Sequence, residues 1–179
     1  MNRLASLLMF SVSLMLLSPQ LFSEPPQDFT LDSPTHNSSI KLSELKGKTV
    51  AIHFLLKTEC PYCLKYTRNY AKSAEGSQDV VHLFVKPDTA DEIKAWASHL
   101  DSQGLREAPI IYRDPDAQLA KTFKIPDGYK FHGQSVHYPA VVVLDSNGRE
   151  LFRYVGKNNS DRLSYKDFQK RLAESQKNN

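Results

Sequence analysis

The chain has 179 residues, with 23 Lys and Arg against 20 Asp and Glu and a formal net charge of +3. The basic residues are scattered and almost balanced by acids, which argues against a nucleic-acid partner. Two cysteines are too few to staple a mini-fold, and the length is enough for one domain with a sizeable core.

Met1-Asn2-Arg3 precedes an apolar run from Leu4 to Leu17, then Ser18-Pro19-Gln20-Leu21-Phe22-Ser23. A positive start, a short apolar segment and a small residue at a cleavage point describe a secretory signal. The run is shorter than the roughly 20 residues of a membrane span. Residues 1–23 are therefore expected to be removed. The protein is expected to be exported, to a periplasmic or other extracytoplasmic compartment. Membrane contact follows only if the segment stays attached. Its loss removes Arg3 and no acid, leaving 22 bases against 20 acids, or +2. Residues 24–179 form the single expected domain.

Phe29-Thr30-Leu31 and Ile40-Lys41-Leu42 predict a small hairpin, with Pro34 and Asn37 in its turn. Ser43 to Lys48 predicts one helical turn closed by Gly47. Thr49 to Leu56 is apolar on both faces, as a central parallel strand must be, and His53 is read as a core histidine.

Thr58-Glu59-Cys60-Pro61-Tyr62-Cys63 follows at the strand's end. Two residues between the cysteines let both sulfurs lie on one side of a helix's first turn. Pro61 suits the first helical position, because its N–H would have no partner there. Cys60 then sits at the N-cap, where unpaired N–H groups and the helix dipole favour a thiolate. Such sites bring a thiol pKa from roughly 8.5 into a range of about 3.5–7.5. Cys60 is the expected attacking thiol. Cys63, one turn in, is the resolving thiol of a redox disulfide. An inert bridge, half of a zinc site, and a copper site completed by His132 or His137 are the competing readings.

The helix from Pro61 carries Leu64, Thr67, Tyr70, Ala71 and Ala74 on one side, and Gly76-Ser77-Gln78 ends it. Val80 to Val85 is a second buried strand. Thr89 caps a helix with Ile93, Trp96, Ala97 and Leu100 facing the sheet. Ala108 to Tyr112 is a short strand. Asp114-Pro115 opens a helix in N-cap–N1 order, with Leu119, Ala120 and Phe123 inward. Lys124 to His137 shows no period and reads as a loop. Tyr138-Pro139 leads into a strand, Ala140 to Leu144. Asn147-Gly148 turns the chain into a return strand, Glu150 to Val155. Ser164 caps a last helix with Asp167 at N3 and Tyr165, Phe168 and Leu172 inward. Ser175 to Asn179 reads as a frayed tail.

This order of elements, with Cys-X-X-Cys at the first strand–helix junction, resembles the thioredoxin fold. Three stretches narrow the likeness: Phe29-Thr30-Leu31 with Leu42 to Lys48, Asp114 to Ala120, and Tyr138 to Gly148. Together they resemble exported TlpA-like and ResA-like thiol–disulfide oxidoreductases, relatives of the alkyl hydroperoxide reductase/thiol-specific antioxidant family. The likeness implies an α/β fold with a central mixed sheet flanked by helices and an N-terminal hairpin extension. It makes Cys60 the nucleophile and Cys63 the resolving cysteine. It matches Pro139 to a proline whose preceding peptide bond is cis, and Tyr138-Pro139 to a site that docks a substrate chain. The implied partners are protein thiols and disulfides and an upstream redox partner. No cofactor and no metal are implied, and a monomer is expected. Two departures stand out. Glu59 replaces the usual aromatic residue and opposes a thiolate, with Lys57 as a possible offset. His53 and Lys57 occupy the positions of a peroxiredoxin's Pro and Thr or Ser, so its peroxide pocket is not evident. A copper-delivery protein and a thiol peroxidase are the alternatives.

Overall fold

The computed structural model describes residues 28–57, 60–75, 79–101, 105, 107–131 and 134–177. The signal-like segment, Glu59 and His132 lie outside the described residues, as does the glycine-led end of the first helix.

In chain order the strands are β1 Thr30–Ser33, β2 Ser38–Lys41, β3 Thr49–Phe54, β4 Val80–Lys86, β5 Ile111–Arg113, β6 Asp127–Phe131, β7 Gln134–His137, β8 Ala140–Leu144 and β9 Glu150–Val155. The helices are α1 Pro61–Ala74, α2 Ala90–Asp101, α3 Gln118–Thr122 and α4 Tyr165–Lys177. Among the described residues, seven strands form one sheet in the order β2-β1-β5-β4-β3-β8-β9, and β6 pairs with β7 apart from it. β3 runs parallel to β4 and antiparallel to β8, and β4 runs parallel to β5. The mixed sheet and the N-terminal hairpin of β1 and β2 are those the resemblance implied.

The centre of the sheet is where its sequence is most apolar. β3 pairs on both sides and is buried on both faces, so the strand alternates between two cores. Val50, Ile52 and Phe54 pack with Leu83, Val85, Val142, Leu144, Leu119 and Phe123. Ala51 and Leu55 pack on the opposite face with Val141, Val143, Phe84, Trp96, Phe168 and both cysteines. α1, α2 and α4 cover this second face.

Four expectations are revised. Lys124–His137 is not an unstructured loop: it contains the β6–β7 hairpin, with a register shift between Asp127 and Tyr129 that interrupts any two-residue alternation. α3 begins three residues later than Asp114-Pro115 suggests, after a 3₁₀ turn whose Asp116 and Ala117 have φ of 55° and 53°. Asp114 still acts as the cap, because its carboxylate accepts the Leu119 and Ala120 N–H groups at 2.8 and 3.0 Å. The buried residues of α1 are Cys63, Tyr66, Thr67 and Tyr70: Thr67 and Tyr70 are as read from periodicity, Cys63 and Tyr66 join them, and Leu64 is only partly buried. α4 stays helical to Lys177, within the stretch expected to fray. At its other end Ser164 Oγ accepts the Asp167 N–H at 3.1 Å, as expected.

Candidate redox site

β3 ends at Phe54, and the chain stays buried through Leu55 and Leu56. The Leu55 N–H donates to Val85 O at 2.8 Å, and Leu56 O accepts from the Lys86 ammonium at 2.6 Å. These contacts fix the chain just before α1. Cys60 is the N-cap, with Pro61 at the first helical position, and its sulfur accepts the Cys63 N–H at 3.2 Å. The two cysteines are joined in a disulfide, with Cα atoms 5.2 Å apart. Cys63 is fully buried, Cys60 is 8 % exposed, and Tyr62 between them is 52 % exposed. Both cysteines are buried, and Cys60 is the more exposed residue of the two.

Arg162 is the residue that sequence reasoning missed. Its Nη2 donates to Cys60 Sγ at 3.3 Å and to Cys63 Sγ at 3.2 Å. It also donates to Asn159 O at 3.2 Å, and the guanidinium carbon lies 5.5 Å from the Tyr66 ring centroid. The loop that delivers it folds on its own side chains. Asn158 Oδ1 accepts the Ser160 and Asp161 N–H groups at 3.0 Å each, and Asp161 Oδ2 accepts the Lys157 N–H at 2.9 Å. Tyr154 donates its hydroxyl to Asp161 Oδ1. Arg162 is 102 residues from Cys60 in sequence, and no motif surrounds it, so nothing local announces it.

Tyr138-Pro139 lies beside that same loop. Ala140 is the register partner of Phe54, which puts Pro139 at the end of the sheet where α1 begins. Gly156 donates its N–H to Pro139 O at 2.8 Å, and a Cβ on Gly156 would stand 2.9 Å from Pro139 Cγ and 2.2 Å from Asp161 O. Only glycine permits that approach. The Tyr138–Pro139 peptide is trans, which corrects the cis bond the resemblance implied. Trans is the preferred isomer by roughly 0.5–1 kcal/mol. Both flanks are already engaged in the trans form: Tyr138 N–H donates to Pro126 O at 2.9 Å and His137 Nδ1 lies 2.7 Å from Tyr138 O.

Beneath α1 the core is polar. Tyr66 Oη lies 2.8 Å from His53 Nδ1, and His53 Nε2 lies 2.8 Å from His82 Nδ1. Burial holds His53 well below its ordinary pKa and His82 at about 4, so both imidazoles are neutral. Burial also brings Lys86 down to about 8, against the opposing pull of Asp88 at 3.3 Å. The Lys86 ammonium stands 4.5 Å from the ring centroid of Trp96, which is buried in the core cluster. No group of three or more potential metal-ligating side chains occurs among the described residues. His137 faces Asp114 and Asp127 electrostatically and is turned to its neighbour's carbonyl.

A thiol-based redox centre on a mixed α/β scaffold is the class this fold and site define. The Redoxin family profile matches residues 23–170. The chain belongs to the Redoxin family, and its cysteine pair is the family's thiol-based redox function in this protein. No curated protein matches. Among solved structures the chain is similar to a reduced 2-Cys peroxiredoxin of Plasmodium vivax, at 20 % identity and a TM-score of 0.68 over 86 % of this chain and 95 % of that one. It is similar to an exposed lipoprotein thioredoxin of Streptococcus pneumoniae, at 21 % identity and a TM-score of 0.63 over 82 % and 98 %. A secreted Mycobacterium tuberculosis disulfide oxidoreductase, homologous to the Escherichia coli DsbE protein, matches at 16 % identity and 0.58 over 82 % and 95 %. These likenesses establish the thioredoxin-like fold.

Proposed function

We propose that this protein is an exported thiol–disulfide oxidoreductase of the TlpA-like and ResA-like kind, acting on protein thiols and disulfides. The observation that carries the reading is the asymmetry of the pair. Cys60 is the helix N-cap and the more exposed residue of the two, Cys63 is sealed, and one guanidinium donates to both sulfurs. In the reduced protein the Cys60 thiolate attacks a partner disulfide. A Cys60–partner bond forms, and the partner's other sulfur leaves and takes a proton. The Cys63 thiolate then attacks Cys60 Sγ, the partner's second sulfur leaves, and the internal disulfide closes. The partner becomes reduced by two electrons and this protein oxidised by two. The reverse sequence oxidises a dithiol. The Tyr138-Pro139 edge is the docking strip, through the second lone pair of the Tyr138 carbonyl. Export is supported by the signal-like pattern of residues 1–23, and two of the similar structures are themselves described as exposed or secreted.

A guanidinium at both sulfurs stabilises a thiolate and so favours the reduced form. The Cys60–Cys63 couple is expected on the oxidising side of thioredoxin's roughly −270 mV. Equilibration with glutathione measures this. Cys63→Ser should accumulate a mixed disulfide with a substrate protein through Cys60, while Cys60→Ser should form none. A couple that never equilibrates, or an adduct formed through Cys63, would overturn the assignment.

A thiol peroxidase is the second reading, favoured by Arg162 at the Cys60 sulfur and by the likeness to a 2-Cys peroxiredoxin. His53 and Lys57 stand against it, at the positions where a peroxiredoxin carries Pro and Thr or Ser. Peroxide consumption by the reduced protein decides between the two.

A further inference from the structure

Tyr70 donates its hydroxyl to Leu163 O at 2.9 Å. A carbonyl only accepts, so the Tyr70 proton is committed to that bond and its oxygen is left as an acceptor. Tyr66 packs on Tyr70 with ring centroids 4.5 Å apart. Tyr66 Oη is paired with His53 Nδ1 at 2.8 Å. A neutral imidazole has one donor and one acceptor nitrogen, so His53 donates to one of Tyr66 and His82 and accepts from the other.

The line runs from His82, partly exposed on β4, through His53 on β3 and Tyr66 and Tyr70 on α1. It ends on the carbonyl of Leu163, the residue after Arg162. Both tyrosines bear on that arginine. Tyr70 anchors its main chain through Leu163, and Tyr66 lies under its guanidinium. His53 packs edge-on against Tyr70 with centroids 4.8 Å apart, so it braces both rings. Neither histidine touches a sulfur in any bond seen here, and neither is an acid or base for the exchange itself.

We infer that Tyr70, Tyr66, His53 and His82 are positioning residues that hold Arg162 against the Cys60 and Cys63 sulfurs and thereby set the thiolate stability of the pair. The inference deepens the oxidoreductase reading by naming what tunes its site. It is tested on a property that needs no partner.

The experiment uses the reduced chain. The Cys60 pKa is read from the pH dependence of iodoacetamide alkylation, and the redox equilibrium constant from glutathione mixtures. Arg162→Ala should raise the Cys60 pKa and shift the equilibrium constant toward the disulfide about tenfold, the scale of one charge-assisted hydrogen bond. Tyr70→Phe and Tyr66→Phe keep ring and volume and lose one hydroxyl. Each should move both quantities in the same direction, about threefold. In the Arg162→Ala background each should add nothing, because the group they position is gone. Phenylalanine variants that match the wild type in both readouts would overturn the inference, as would effects that persist in full without Arg162. If a tyrosine variant fails to fold, His82→Asn at the partly exposed end asks the same question with the same two outcomes. Should the protein fail to exchange with any partner while Tyr70→Phe still shifts the Cys60 pKa through Arg162, the positioning chain stands and the oxidoreductase reading falls.

Discussion

The two faces of the central sheet do different work with alternate residues of the same strands. On the face that packs against α3, β3 contributes Val50, Ile52 and Phe54, and β8 contributes Ala140, Val142 and Leu144. Its strand residues carry no polar side chain at the centre. On the other face the intervening positions are Ala51 and His53, joined by His82 and Lys86 from β4 and Tyr66 and Tyr70 from α1. Both faces are equally sealed: Ile52 and His53 are each fully buried. The first face stabilises by burying hydrocarbon. The second gives part of the same buried volume to hydrogen-bonded polar groups, and it is the face on which the disulfide and Arg162 sit.

The largest effect that sharpens this contrast is expected at Lys86. Lys86→Met leaves the Asp88 carboxylate buried without its Lys86 partner and should cost about 4 kcal/mol, measured by urea denaturation. A cost near zero would mean that the polar face tolerates hydrocarbon as well as the other one does.

Acid provides the next test. His82 has its pKa brought from 6.5 to about 4 by burial, so the unfolded chain binds the proton that the folded chain refuses. Stability should therefore be intact above pH 6.5, fall as the pH drops from 6.5 to 4, and level off below that for this group. The interval of 2.5 corresponds to about 3 kcal/mol, and His53, shifted in the same direction, adds to it. The loss should shrink in His82→Asn. A pH profile unchanged by that substitution would remove the histidines from the account.

The smallest effect belongs to the apolar face. Ile52→Val deletes one buried methylene and should cost about 1 kcal/mol while leaving the Cys60 pKa and the redox equilibrium untouched. A shift in either would show that the two faces are coupled through the strand.

Much of this protein is legible in its residues. The apolar run of β3, the Cys60-Pro61-Tyr62-Cys63 cap and the Thr89 and Ser164 helix starts are local events, decided within a few residues by φ restriction, capping and alternation. So are the Asn147-Gly148 turn and the β1–β2 hairpin. Periodicity failed where the chain departs from regular repeats. The bulged β6–β7 hairpin breaks its own alternation, and the paired left-handed residues Asp116 and Ala117 delay α3. On α1 periodicity found Thr67 and Tyr70 but not Tyr66, which turns inward to pair with His53, a partner 13 residues away.

What the amino-acid order determined unaided is the cysteine pair, the helix start that Cys60 caps and the strand that presents it, because each depends on neighbours in the chain. What the tertiary structure alone decided is the company those sulfurs keep. Arg162, His53, His82 and Lys86 come from four separate places in the sequence, and long-range packing, which leaves no local signature, brings them to one face of the sheet.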